Sequence, residues 1–168
     1  MKARKKAVRT KNRPVARKAT KSKSRTSSFQ FSADKPLLKL KARLAADEKA
    51  VDAVVQSVMR IVRQTGCANG KEEAVELALA EALANAVIHG AKADASKIVE
   101  CDVACDENRT LLIVVRDPGI GFDPGKVPSP IQGEHIYSNS GRGIFLINQL
   151  MDEVKFRKKG TEIHMIKR

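Results

Sequence analysis

The chain has 168 residues and a formal net charge of +13, a length that suits one domain with a single hydrophobic core. No apolar run approaches the roughly 18 residues needed to cross a bilayer, so we expect a soluble protein without a membrane segment. The charge is unevenly placed, because residues 1–28 hold twelve Lys or Arg and no Asp or Glu, which leaves +1 for residues 29–168.

Residues 1–28 are predicted to form a disordered basic tail. The segment has no aromatic residue and almost no large apolar residue, so it has too little apolar surface to offset the entropy lost on ordering. Its charge favours polyanions, with nucleic acid as the leading partner and a solvated, non-specific tail as the alternative. The remaining residues, 29–168, are predicted to form the globular domain.

The first half of this domain is predicted to contain a strand and two helices. Residues 37–44 alternate as an edge or half-buried strand, and residues 47–66 have the spacing of an amphipathic helix that ends at Gly66. An Asn-Gly turn at 69–70 follows, and a long helix is predicted over 71–89, ended by Gly90.

The second half is predicted to contain most of the sheet. The predicted elements are strands at about 97–104 and 110–116 joined by a turn at 106–108, a loop over 123–139, a helix over 141–151, and a hairpin of 155–159 and 161–168 around Gly160. This order predicts an α/β sandwich with helices on one face of a mixed, mostly antiparallel sheet. A loop as long as 123–139 is usually functional in a compact domain and suits a lid.

The segment EALANAVIHG at 81–90 places two polar residues on an apolar helix. Glu81 and Asn85 are four residues apart and therefore share one face. A carboxylate there suits proton acceptance and an amide oxygen suits Mg²⁺, whereas the alternative is an ordinary pair on the helix surface. His89, at the end of this helix, is interpreted as structural rather than as an acid or a ligand.

The segment DPGIGFDP at 117–124 follows a short apolar strand. Asp117 can accept a hydrogen bond from an exocyclic amine, while Gly119 and Gly121 let a flat ligand approach the backbone closely. The alternative is a plain turn, since Asp-Pro-Gly is a strong turn sequence by itself.

The segment SGRGIFLI at 140–147 opens a helix with glycines. Gly141 and Gly143 expose backbone N–H groups at the positive end of the helix dipole, which suits a polyphosphate. The alternative is a flexible glycine entry to an amphipathic helix. Neither GxxxxGK[ST] nor a GxGxxG between a strand and a helix is present.

Three cysteines, Cys67, Cys101 and Cys105, lack a CxxC spacing or a nearby histidine pair and therefore do not predict a zinc site. Cys101 and Cys105 fall in an alternating strand, so both are expected on one face. We expect all three to be reduced, partly buried thiols of a cytoplasmic protein.

Taken together, the three segments resemble the N box and the two glycine boxes of the GHKL ATPase superfamily. The runs GFDPGKVPSP and SGRGIFLINQLMDEV, and a terminal strand with Gly160 and Thr161, resemble the small anti-sigma regulatory factors, which are serine/threonine protein kinases. The resemblance covers roughly residues 29–168. It implies a histidine-kinase-like ATPase domain with the two-layer α/β sandwich of the GHKL (Bergerat) type.

The resemblance also implies residue roles, with ATP and Mg²⁺ as cofactors. It makes Glu81 the catalytic base, Asn85 the Mg²⁺ ligand and Asp117 the adenine anchor. Residues 123–140 become the lid, and the glycines that line the nucleotide pocket are Gly119, Gly121, Gly141 and Gly143. Some sporulation-type members carry an arginine just before the second glycine box, where this chain has Asn139 and Ser140. Arg142, inside the box, is then the residue expected to stabilise developing charge.

The expected function is phosphoryl transfer from ATP to a serine or threonine of an anti-anti-sigma protein, in control of a sigma factor and hence of transcription. A second hypothesis is a nucleotide-gated module that binds a sigma factor and phosphorylates nothing. A third is nucleic-acid binding through residues 1–28, but the domain has no basic stripe or RNA-binding motif. The sequence leaves open whether the domain forms a homodimer.

Overall fold

The computed structural model describes residues 36–123 and 142–168. The elements in chain order are β1 Leu38–Ala45, α1 Glu48–Thr65, α2 Glu72–Asn85, β2 Ile98–Cys105, β3 Leu111–Arg116, α3 Arg142–Leu150, β4 Glu153–Arg157 and β5 Glu162–Lys167. Each matches a predicted element with bounds shifted by a few residues at most. Residues 1–28, Gly141 and nearly all of the predicted lid lie outside the described residues.

The five strands form one sheet in the order β1-β2-β3-β5-β4. All four pairings between described strands are antiparallel. Strand β1 lies at one edge of the sheet, which agrees with the prediction of an edge or half-buried strand. Along β2, Val99, Cys101, Val103 and Cys105 are buried on one face, while the residues between them are only half buried. The helices pack on the buried face, so the predicted two-layer α/β sandwich is confirmed.

Helix α1 forms because apolar residues recur on one side and both ends are capped. Asp47 Oδ1 accepts a hydrogen bond from the Lys49 N–H at 3.1 Å, and Gly66 ends the helix in the left-handed region at φ 63°. The buried stripe consists of Val51, Val55, Val58, Met59 and Val62. This stripe holds α1 against β1 and α2.

Helix α2 is the central helix of its layer, with α1 and α3 in contact with it. Its buried residues are Val75, Ala78, Leu79, Ala82 and Leu83. After Asn85 the helix widens into one π turn over Ala86–Gly90. Such turns are rare and are frequent at functional sites.

The expectation of three reduced thiols was wrong, because Cys67 and Cys105 form a disulfide. Cys67 follows α1 and Cys105 ends β2, so two positions 38 residues apart in sequence meet in the core. Cys101 is free and buried, and burial raises the pKa of its thiol to about 12. Cys101 and Cys105 do lie on the same buried face of β2, as expected.

We expect one reactive thiol in the chemically denatured, unreduced chain and three after reduction. Reduction should also lower the free energy of unfolding by about 2–4 kcal/mol, because it frees a long loop in the unfolded chain. Thiol titration in denaturant, followed by urea unfolding with and without reductant, measures both effects. In the Cys67→Ser control, reductant should leave stability unchanged, and three thiols before reduction would contradict the disulfide.

The face of the sheet opposite the helices carries a row of alternating charge. Arg43, Glu100, Arg116, Glu162 and Arg157 stand in register across the five strands. In the middle of this row Arg116 forms an ion pair with Glu162, because its Nε lies 2.7 Å from a carboxylate oxygen of Glu162. Opposite charges on neighbouring strands therefore pair across this face.

Glu162 is the most buried carboxylate of that row, at 6% exposure. Burial alone would raise its pKa, but hydrogen bonds with His164, Lys158 and Arg116 outweigh burial and lower the pKa to about 2. The ordinary value is 4.5, so the ionised form stabilises the folded state above pH 4.5. This contribution is lost as the pH falls from 4.5 towards 2.

Glu162→Gln should lower the free energy of unfolding at pH 7 by about 2 kcal/mol, because Arg116 and its neighbours lose their buried counter-charge. The deficit should shrink as the pH falls below 4.5, where the unchanged chain loses the same contribution. Urea unfolding at pH 7 and at pH 3 tests this. Glu107→Gln, at an exposed turn residue, is the matched control, and an equal effect of both variants would refute the assignment.

Candidate active site

A cavity of about 640 Å³ opens where α2 ends, β3 ends and α3 begins. Its walls come from the last turn of α2 and the π turn, from the loop 117–123 after β3, and from the first turns of α3. The three motifs noted in the sequence therefore meet around one cavity. The helix and strand ends hold the polar groups, and the apolar part of the wall includes Ile147, Phe156 and Ile163.

Glu81 and Asn85 face the start of α3 at Gly143. A Cβ added to Gly143 would lie 2.7 Å from Glu81 Oε2, closer than real Cβ contacts come, and 3.0 Å from Asn85 Nδ2. Glycine therefore lets the start of α3 lie directly against both polar side chains in their present positions. Asn85 and Gly143 line the cavity, while Glu81 lies beside it, in contact with the same glycine.

Asp117 lies directly after β3 and lines the cavity. Its Oδ1 accepts a hydrogen bond from the Gly119 N–H at 2.8 Å, and Oδ2 has no partner among the described residues. Burial raises the pKa of this carboxyl, although the Gly119 hydrogen bond opposes the shift. Oδ2 is thus an acceptor that a ligand can use.

Glycines make the wall around Asp117 possible. A Cβ at Gly90 would lie 2.3 Å from Asp117 Cγ, and a Cβ at Gly119 would lie 2.6 Å from the Gly90 carbonyl oxygen. Gly121 has φ +80°, and its Cβ would lie 2.0 Å from the Lys159 carbonyl oxygen. Gly119 and Gly121 therefore allow close packing of the chain beside the cavity, whereas the close approach of a flat ligand, which the sequence suggested for them, stays a prediction.

Arg142 is the first residue of α3 and is exposed. It is absent from the cavity wall, unlike its neighbour Gly143. Its role in charge stabilisation therefore stays a prediction, as does the pocket-lining role of Gly141, which lies outside the described residues.

Sequence reasoning missed several groups on the cavity wall. His89, interpreted as structural, is exposed there together with Lys92, and Lys97 lies on the same wall. Ile120 is 96% exposed between the two glycines of its loop. The four-residue spacing from Asn85 to His89 was the available signal, since helical residues at that spacing share a face.

Within residues 36–123 and 142–168, no three His, Cys, Asp or Glu side chains are grouped so as to hold a metal ion. None of the helices there has the length and apolar character needed to span a membrane.

The chain matches the family model of the histidine kinase-like ATPase domain over residues 44–167. It is 30% identical over 139 residues to the serine-protein kinase RsbW of Bacillus cereus (strain AH187), covering 77% of this chain and 84% of that protein. The RsbW proteins of Bacillus thuringiensis (strain Al Hakam) and Bacillus anthracis match with the same identity and coverage.

The chain therefore belongs to the histidine kinase-like ATPase family. Within that family it is a relative of the GHKL-type anti-sigma factor kinases represented by RsbW, which confirms the resemblance seen in the motifs.

Proposed function

We propose that the chain is a serine/threonine protein kinase that uses ATP and Mg²⁺ to phosphorylate an anti-anti-sigma protein, and so controls a sigma factor and transcription in the cytoplasm. The observation that carries the proposal is the convergence of Glu81 and Asn85 on Gly143, at a helix start beside a large cavity. The kinship with serine-protein kinases supports the same reaction.

The residues of the cavity fit a bound ATP. Asp117 Oδ2 is an acceptor without a partner among the described residues, which suits the exocyclic amine of adenine. A Cβ at Gly90, Gly119 or Gly143 would clash with neighbouring protein atoms, so glycine at these positions lets the walls of the cavity come together. The start of α3 offers N–H groups and a positive dipole end to the phosphates.

The chemistry divides between two side chains of α2. Glu81 orients the acceptor hydroxyl and takes its proton as the hydroxyl oxygen bonds to the γ-phosphorus and ADP leaves. The Asn85 side-chain oxygen would hold Mg²⁺, a role that suits a hard amide oxygen. Magnesium, when bound, neutralises charge on the phosphate oxygens. Arg142, the first residue of α3, would supply positive charge near the helix start.

Asp117→Asn should weaken ATP binding about ten- to a hundred-fold, because a hydrogen bond to a charged acceptor is worth about 1.5–3 kcal/mol. Calorimetric titration with ATP measures the affinity, and urea unfolding checks that the variant remains folded. Glu107→Gln, at an exposed turn residue that does not line the cavity, is the control. Wild-type affinity in Asp117→Asn would show that the residue only shapes the turn.

A nucleotide-gated module without kinase activity is the competing function, favoured by one observation, that Glu81 lies beside the cavity wall rather than on it. The two functions differ in their need for phosphoryl transfer. We expect ATP to change the complex with the partner protein, whereas an ATP analogue with a non-transferable γ-phosphate should not. An equal effect of the analogue would favour the gated module.

A further inference from the structure

A groove of about 310 Å³ runs between α1 and α2, away from the cavity. Its carboxylates are Asp52 from α1 and Glu73 and Glu76 from α2, and its apolar lining includes Val55 and Leu77. Leu77 is 44% exposed and gives the groove an apolar surface. We call this surface the acidic groove.

The charge of the acidic groove is largely uncompensated. Glu76 pairs with Arg63, but Asp52 and Glu73 have no hydrogen-bond or ion-pair partner among the described residues. Helix α2 holds four glutamates and no Lys, Arg or His over Glu72–Asn85. A segment that fits the groove must therefore be basic, with long side chains whose methylene stems can cover Leu77.

The chain itself contains such a segment in residues 1–28, with twelve Lys or Arg and no acidic residue. The chain that follows this segment enters β1 at the end of the molecule where α2 begins. The Leu37 N–H donates to the Cys105 carbonyl oxygen at 2.8 Å, and Cys105 is bonded to Cys67, between α1 and α2. The chain thus enters β1 where α2 begins, the end of α2 that carries Glu73.

The connection is long enough to allow binding. Residues 29–35 separate the basic segment from the described chain and span up to about 25 Å when extended. We propose that the acidic groove binds residues 1–28 of the same chain, with Lys and Arg side chains opposite Asp52 and Glu73. The attraction is between exposed charges, so salt weakens it.

Zero-length carbodiimide cross-linking of the full chain tests the proposal, because it joins lysines only to carboxylates in direct contact. Mass spectrometry should find lysines of residues 1–28 joined to Asp52 and Glu73 several-fold more often than to the exposed Glu107. These links should fall several-fold between about 0.01 M and 1 M salt, where the screening length shrinks about tenfold. Links spread evenly over all exposed carboxylates would overturn the proposal.

A second measurement does not depend on the cross-linked residues. Trypsin should cut residues 1–28 several-fold faster in Asp52→Asn/Glu73→Gln than in the unchanged chain, and Glu107→Gln should have no effect. Circular dichroism and urea unfolding check that the double variant is folded. Equal cutting rates in folded proteins would overturn the proposal. So would links that form only between isotope-labelled and unlabelled chains, because they would assign the groove to a second copy.

Discussion

Glu81→Ala should transfer phosphate about 10²–10⁴ times more slowly than the unchanged chain while binding ATP with the same affinity. The position of Glu81 explains why the transfer rate should fall while the affinity for ATP stays the same. Glu81 lies beside the cavity and faces Gly143. We therefore expect it to act in the step in which the acceptor loses its proton and to contribute little to ATP binding. Initial rates with radiolabelled ATP, and ATP titration by calorimetry, separate the two quantities.

Glu72→Ala is the matched control, because it removes a carboxylate from the first turn of the same helix. Among the described residues, Glu72 accepts a hydrogen bond only from the Gly70 N–H. Its rate should stay close to that of the unchanged chain. Equal labelling of the acceptor by Glu81→Ala and Glu72→Ala would remove the assigned role of Glu81. A loss of ATP affinity in Glu81→Ala would instead indicate a binding residue.

Nucleic-acid binding by the full chain should fall about 10³–10⁵-fold between 50 and 200 mM salt, if six to ten of the cations in residues 1–28 contact phosphates. Each contacted phosphate releases counterions, and this release is what makes the affinity depend on salt. Gel-shift titration of a DNA duplex at several salt concentrations gives the slope. Nucleic acid should also displace residues 1–28 from the acidic groove, since the same cations serve both.

Removal of residues 1–28 should abolish this DNA binding and leave ATP binding intact, because the remaining residues carry a net charge of only +1. Retained ATP affinity is the control for folding of the shortened chain. Unchanged retention of DNA by the shortened chain would refute the assignment and would place the contact on the domain.

The elements were predictable because their signals are local. Helix α1 has an apolar stripe between an Asp cap and a Gly cap, and α2 was found by the same spacing. The disulfide was not predictable, because Cys67 and Cys105 are 38 residues apart and only the fold brings them together. The π turn after Asn85 also carries no sequence signal distinct from an α-helix.

The site was predictable in its parts because each motif has a local signal, which is a polar pair on an apolar helix, an Asp-Pro-Gly after an apolar strand, or glycines at a helix start. Glu81, Asn85 and Asp117 stood out in this way, and the structure brings them around one cavity. The wall formed by His89, Lys92 and Lys97 did not stand out. Surface lysines are common, so only the position of the cavity distinguishes these from others.

The measurement that tests the central claim most directly is transfer of label from γ-labelled ATP to an acceptor protein that binds the chain. With Mg²⁺ present, the unchanged chain should label a serine or threonine of the acceptor, and omission of Mg²⁺ should abolish labelling. Absence of label on an acceptor that demonstrably binds, with ATP also bound, would contradict the kinase function and leave the nucleotide-gated module.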